Sequence, residues 1–487
     1  MGIIAKQASR NAVFIFLGVI LGAINNVFVL PNAFAEFKSE LGLLVLLVSI
    51  AAISAPFISF SANSVLVNFL PKISSESEKN GLVRKLVLFC FLGIGLFSLA
   101  WWLGESLFLS WMKPEDALLL KGNVKWMLLL TASISLYQFL SGYLQGKYKS
   151  VLISALNDPV LKGSYLLLAV LYLFKVISFD TLLVLYVGSY LLVTLIAYFY
   201  ARSLGFSVAN TQPFTSKELW SYAFYSVLDK GSGILVQRID ILMITFILDL
   251  ELTAEYAIAF FIGSVVFIPH KSIGAISGPI VSKELGKNNM LELSKLLKSS
   301  TLYSLSAGIF IFCVVWINSK EIFEILPDKF SGGLWVVFFI GLSKLAQMLG
   351  GVSGAIILYS KYYRFNLVLN LILILLVVIT NLIFIPQFGI VGAAISTMSA
   401  LFLFSITRLV YVYTKYKIHP FSAGLFKLIG SGIILFIVFL NWPDMGLNPF
   451  LEIMIKGSVF LVSYLVALRV LNIIPELTSL RELKDLF

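Results

Sequence analysis

The chain has 487 residues, of which 59% are hydrophobic and only 13% charged, and it carries a net charge of +11. Soluble domains hold about 45–50% apolar and about 25% charged residues, so this composition excludes a water-soluble protein. The apolar excess comes in blocks of roughly 20 residues, each long enough to cross about 30 Å of hydrocarbon as a helix.

The first block follows Lys6 and Arg10 and ends near Ala33-Phe34-Ala35, which imitates a secretory signal with a small-residue cleavage site. It is longer than the roughly 7–15 residues of a signal's apolar core. It also carries Asn25-Asn26 and has a counterpart in the second half of the chain. It therefore reads as a membrane span.

Further spans are predicted near 42–69, 85–104, 124–145, 152–174 and 180–202. A second group follows near 219–247, 255–281, 299–319, 332–358, 365–385 and 389–414, and two more lie near 422–441 and 449–471. That makes about 14 spans. The connecting segments are short, and no soluble domain is expected between them. Cys90 and Cys313 both fall inside apolar blocks, which points to small packing residues instead of a disulfide framework.

Lysine and arginine sort the loops. One side collects most of them, among them Lys6, Arg10, Lys72, Lys147, Lys283, Lys361, Arg408, Arg481 and Lys484; the other holds Lys38, Lys113, Lys121, Lys125, Lys175, Lys320, Lys329 and Lys456. The positive-inside rule then places both termini in the cytoplasm. The basic balance is thus topology and attraction to anionic headgroups, and it argues against a nucleic-acid partner. Trp101, Trp102, Trp111, Trp126, Trp316, Trp335 and Trp442 fall near the predicted outer ends, as an interfacial belt should.

The two halves echo each other at a spacing of about 214 residues. Asn26 aligns with Asp240, Gly42 with Tyr256, and Lys147-Tyr148 with Lys361-Tyr362; the basic loop 71–85 matches 282–298. An even number of spans separates equivalent positions, so both copies share one polarity. Such a parallel repeat is typical of transporters that rock two bundles about a central site. The expected domains are an N-lobe at 1–203, a C-lobe at 204–417, and helices 13 and 14 with a cytoplasmic tail at 418–487.

Removing the loop cations leaves Lys162, Lys230, Arg238, Lys271 and Lys344 at membrane depth, with Asp158, Asp229 and Asp240. Each costs about 2.5–3.5 kcal/mol on insertion scales, so most should face a wet cavity or a partner. On the seventh span, Ser226, Asp229, Lys230, Gly233, Gln237 and Asp240 fall within an arc of about 100°, and Arg238 lies outside it. The first span has a milder stripe of Asn11, Gly18, Gly22, Asn25 and Asn26. Asp158 and Lys162 stand at i, i+4 and suit either a structural pair or a cavity wall. Lys230, Arg238 and Lys271 outnumber the nearby acids and suit a phosphate, pyrophosphate or acidic sugar. Asp229 and Asp240 are candidates for coupling to H+ or Na+. His270, beside Lys271, suits a hydrogen-bonded structural role or a cavity, and Lys344 in the Ser- and Gly-rich stretch 341–354 suits a tight helix contact, with a cavity wall as the alternative.

No phosphate-binding G-x-x-x-x-G-K-[ST] loop, metal-spaced cluster or G-x-S-x-G elbow is present, so neither cofactor nor metal is expected. Two motif runs remain. One joins Arg238–Asp240 to Glu255-Tyr256-Ala257, similar to a "D-x-L-M-I … Y-A-x-A" run. The other is Ile385-Pro386-Gln387-Phe388-Gly389-Ile390-Val391-Gly392-Ala393-Ala394-Ile395-Ser396-Thr397, similar to "P-x-x-G-I-x-G-A-A-x-x-T". On these and on its span pattern the chain resembles the polysaccharide transporter (Wzx, O-antigen flippase) branch of the MOP superfamily, which includes MATE transporters and lipid II flippases.

The resemblance covers nearly the whole chain. It implies an all-α membrane protein of two six-helix lobes plus two C-terminal helices, V-shaped with a central cavity and working by alternating access. The implied substrate is an undecaprenyl-pyrophosphate-linked oligosaccharide flipped outward across the bacterial inner membrane. Glycosyltransferases and a polysaccharide polymerase would be its partners. Rival readings are a lipid II flippase and a MATE-like extruder; the latter usually has a carboxylate in the first span, where this chain has Asn25 and Asn26. A membrane glycosyltransferase or polymerase would need acidic or Arg-rich outer loops, whereas loop 34–41 offers only Glu36 and Glu40 around Lys38. A non-transporting scaffold, its charges merely structural, is the remaining alternative.

Overall fold

The computed structural model describes residues 2–209, 212, 217–362, 364–443 and 445–474, with the backbone alone at 2–9, 12, 217 and 275. The tail with Arg481 and Lys484, and the side chains of Lys6 and Lys217, lie outside the described residues. Among those described there is helix and no strand.

Contacts divide the chain into two compact units, Met1–Ala257 and Ile258–Phe487. In the first, α1 (Gly2–Ala23) runs through a π-helical turn at Ile24–Val29 into a short α2 (Leu30–Ala33). After it come α3 (Lys38–Ile58), α4 (Ala62–Phe69), α5 (Glu76–Ser110) and α6 (Pro114–Gly146). Then follow α7 (Ser150–Ala155), a second π-helical turn at Leu156–Val160, α8 (Leu161–Leu173), α9 (Phe179–Ser203), α10 (Lys217–Ile247) and α11 (Leu250–Ser264), the last crossing the division between units.

Local chemistry explains the breaks. Pro159, inside the second π turn, has no N–H to give the ladder, and the chain widens there by one residue. Beyond Pro56 the backbone turns through Phe60 and Ser61, with φ of 48° and 47°. The Ser75 hydroxyl accepts from the Glu78 amide and starts α5, with Glu76 and Glu78 in the first turn. Helix α6 is the pillar of the unit and packs against α3, α4 and α9. Its buried face (Tyr143, Leu144) meets Leu66 and Ala197. Helix α10 packs on α3 and α4, so by packing it belongs with the first unit, while the duplication in sequence begins a new copy near it.

The second unit holds α12 (Ile268–Gly286), α13 (Met290–Ile317), α14 (Ser319–Ile325), α15 (Leu334–Leu349), α16 (Ser353–Tyr359), α17 (Arg364–Tyr416), α18 (Ala423–Leu440) and α19 (Pro449–Val470). Helix α17 has 53 residues, which would measure about 80 Å if straight, far beyond about 30 Å of hydrocarbon. It is broken at Gly389, where φ is 58° and ψ is −139°. That conformation is essentially glycine's alone. At Gly392 a Cβ would collide with the Phe384 carbonyl, so the chain doubles back closely there. The second arm returns beside the first, since Arg408 reaches Asn366, 42 residues away, at 3.0 Å. The glycines of the 385–397 run therefore build a hairpin between two spans.

Twelve described helices are long and apolar enough to cross a membrane. Helix α10 stands outside that set because Asp229, Lys230, Arg238 and Asp240 crowd its middle, and α17 makes two crossings instead of one. With those two additions the count reaches the expected value of about 14.

Two loop assignments are corrected. Arg408 is half-buried inside α17, where its hydrogen bond to Asn366 stabilises the guanidinium. Lys456, expected in an outer loop, is 6% exposed within α19. It is neutralised there by Glu452 at 2.8 Å and by Glu321.

Candidate functional site

In the first unit the residues of the expected α10 stripe differ in burial. Ser226 and Asp240 are buried, Asp229 is half-buried, and Lys230 and Gln237 are exposed. Lys230 Nζ donates to Asn63 Oδ1 of α4 at 3.2 Å, and Asn63 Nδ2 donates in turn to the Gln138 carbonyl of α6 at 3.3 Å. The lysine is thus aimed by a neutral amide. Gln237 folds back along its own helix, donating to the Gly233 carbonyl at 3.3 Å. Asp240 accepts from the Tyr256 hydroxyl at 2.7 Å.

Arg238, off the stripe, lies within electrostatic reach of the Tyr186 and Tyr190 hydroxyls on α9. Tyr186 stacks on Tyr165 of α8 with ring centroids 4.0 Å apart and planes at 13°. Tyr190 completes the group at 5.9 Å from Tyr165. Among the described residues no carboxylate lies within 4.0 Å of Lys230 or Arg238. A guanidinium beside stacked phenols offers both oxyanion and carbohydrate-like partners.

The first span faces the fifth. Gly18 leaves no room for a Cβ against Asp158, and Gly22 faces the Lys162 stem. Asn11 Nδ2 donates to Ser150 Oγ at 3.1 Å. These small and polar residues therefore serve a close helix contact along that stretch. Asp158 and Lys162 form an ion pair at 2.8 Å. Asn25 is buried in the first π turn, and its Oδ1 has no hydrogen-bond partner among the described residues. Asn26 donates to the Gly22 carbonyl at 2.8 Å.

The second unit encloses a cavity of about 280 Å³, lined by residues of α12, α13, α15, α16 and α17. His270 and Arg408 are its basic walls, and among the described residues no carboxylate side chain lines it. Lys271, next to His270, is exposed and lies outside the lining. Lys344 stands over the Phe260 and Phe267 rings at 5.0 and 5.9 Å, a cation–π contact. Gly341 packs on the Phe312 ring, a tight helix contact, while Gln347 and Gly350–Gly354 of the same stretch line the cavity.

Sequence reasoning missed Arg408 and the tyrosine group. Arg408 was legible in principle, because it stands inside the predicted span 389–414. The tyrosines come from two helices and show no spacing that singles them out.

These features define a multi-pass helical membrane protein with the fold of MOP-superfamily transporters. No family model matches the chain. It is similar to the lipid II flippase MurJ in an inward closed conformation, with a TM-score of 0.66 at 14% identity over 95% of this chain and 99% of that one. It is similar also to an inward-facing multidrug resistance MATE family transporter of the MOP superfamily, with a TM-score of 0.66 at 13% identity over 84% and 98% of the two chains. In sequence it is 25% identical over 190 residues to the probable low-salt glycan biosynthesis flippase Agl15 of Haloferax volcanii. That match spans 37% of this chain and 39% of the relative's length. At such identities the solved structures speak for the fold.

Proposed function

We propose that this protein is a flippase that moves an undecaprenyl-pyrophosphate-linked oligosaccharide from the cytoplasmic to the outer leaflet of the bacterial inner membrane, by alternating access. It supplies surface polysaccharide synthesis and is not an enzyme; glycosyltransferases and a polysaccharide polymerase act before and after it. The observation that carries the reading is the pair of α10 cations. Lys230 and Arg238 lie on α10 without a carboxylate within 4.0 Å among the described residues; Lys230 donates to the neutral Asn63, and Arg238 is within electrostatic reach of the Tyr186 and Tyr190 hydroxyls. Such charges are expensive in a bilayer, and an anionic cargo offsets that cost.

In this reading Lys230, Arg238 and Lys271 take the diphosphate. Gln237, Lys162, Asn25 and Asn26 add polar contacts to the cargo, and His270, which lines the second-unit cavity, is left out of that set. Asp229 carries the coupling to H+ or Na+; Asp240 is the weaker candidate, because its carboxylate is already engaged by Tyr256. The relative described as a probable low-salt glycan biosynthesis flippase and the structural neighbour described as a lipid II flippase support this class of cargo.

The test is export of surface glycan in a strain lacking the native gene. Lys230→Ala, Arg238→Ala and Lys271→Ala should each abolish export while leaving membrane abundance normal. Wild-type export from all three ends the cationic-site reading. A MATE-like extruder would instead give drug resistance that depends on an ion gradient.

A further inference from the structure

The cavity of the second unit is built around a guanidinium that is held from behind. Arg408 Nη2 donates to Asn366 Oδ1 at 3.0 Å, and its central carbon lies 4.6 Å from the Phe404 ring centroid. Gly354 leans on the same group so closely that a Cβ there would strike it. An arginine fixed on three sides is a rigid donor fork, the form suited to a planar or tetrahedral oxyanion.

The other walls match. His270 rests on Phe267 with ring centroids 4.8 Å apart, and its Nδ1 is buried without a hydrogen-bond partner among the described residues. Gln347 and Ser353 add neutral donors, and among the described residues no carboxylate side chain contributes to the wall. A cavity with one permanent cation, an imidazole, neutral donors and no acid among its described lining residues repels cations and suits an anion. At about 280 Å³ it falls just below the roughly 300–1,000 Å³ of sites that engulf drug-sized ligands. That is room for a phosphoryl group beside Arg408 and His270.

We propose that this cavity is a phosphoryl-oxyanion site, distinct from the α10 cations, with Arg408 and His270 as its binding pair. The phosphoryl group comes either from a lipid headgroup or from free phosphate or diphosphate. The site stands whether or not the transport reading holds, because binding is read without transport.

The test uses the full-length protein. Inorganic pyrophosphate is titrated calorimetrically in detergent, and thermal unfolding is compared in phosphatidylcholine nanodiscs with and without phosphatidic acid. Saturable binding in the first arm assigns a soluble source, and stabilisation confined to the second assigns a lipid one. In either case Arg408→Gln should weaken the response roughly tenfold or more, the scale of a charge-assisted hydrogen bond. His270→Phe keeps the ring on Phe267 and removes the nitrogens; it should weaken binding severalfold, and it carries the test if Arg408→Gln does not fold. No response to either probe, a response unchanged in the variants that fold, or one lost only in Lys230→Ala, overturns the assignment.

Discussion

The Tyr256 hydroxyl donates to the Asp240 carboxylate at 2.7 Å, with Asp240 4% and Tyr256 1% exposed. The bond ties α10 to α11 across the turn between them. Beside it, Glu255 pairs with Lys38 of α3 at 2.9 Å. The acid, tyrosine and glutamate that gave the 238–257 run its family look are thus a clamp that fixes how the seventh span ends and the eighth begins.

Tyr256→Phe removes the hydroxyl of this clamp and leaves the ring in place. A buried hydrogen bond to a charged group contributes about 1.5–3 kcal/mol, so unfolding should shift to lower temperature by several degrees. Asp240→Asn, whose amide oxygen still accepts from Tyr256, should lose less. Equal thermal stability of Tyr256→Phe and the parent would sink the clamp.

Lys456 is held by two acids, Glu321 and Glu452, in the second unit, and all three are nearly fully buried. Lys456→Met leaves two carboxylates facing each other away from water, and breaking a buried pair in this way costs about 3–5 kcal/mol. The triple variant Lys456→Met, Glu321→Gln, Glu452→Gln should recover most of the loss. Detergent-solubilised melting curves for the two variants decide it; a single variant as stable as the parent contradicts the geometry.

What was legible in the chain follows from the range of each interaction. The spans announce themselves because twenty consecutive apolar residues need no partner to be recognised, and Asp158–Lys162 was visible because a helix brings i and i+4 together. Lys456 was read as a loop cation because Glu321, 135 residues away, does not show in a local window. Arg408 was misplaced although it stands inside the predicted span 389–414; what the sequence could not show is its partner Asn366, across the Gly389 hairpin. The π-helical turns were unreadable except through Pro159. The first-span glycines announced a close approach, and only the structure shows that Asp158 and Lys162 fill it.

Gly389 adopts φ 58° and ψ −139°, so a side chain there is strained even though a Cβ at this position would meet nothing within 4 Å. Gly389→Ala should cost about 1–3 kcal/mol from backbone strain alone, and it should lower membrane abundance. Gly430→Ala, on α18 with equally open space and ordinary helical backbone, is the matched control. Indistinguishable abundance and melting for the two would show that the hairpin does not depend on glycine.

The Asp158–Lys162 pair separates a cargo contact from a strut. Its oxygen and nitrogen are 2.8 Å apart, the side chains are 18% and 38% exposed, and Gly18 of the first span presses on Asp158. If the pair is a strut, Lys162→Gln leaves a half-buried carboxylate against α1 and lowers abundance. Lys162→Gln with Asp158→Asn then replaces two charges by two amides that still bond, and it should restore both abundance and glycan export. If Lys162 touches the cargo, the double variant regains abundance while export stays low, because the missing charge is the cargo's partner and not Asp158's. Export per unit of membrane protein, measured for both variants, therefore reads out the role of Lys162 directly.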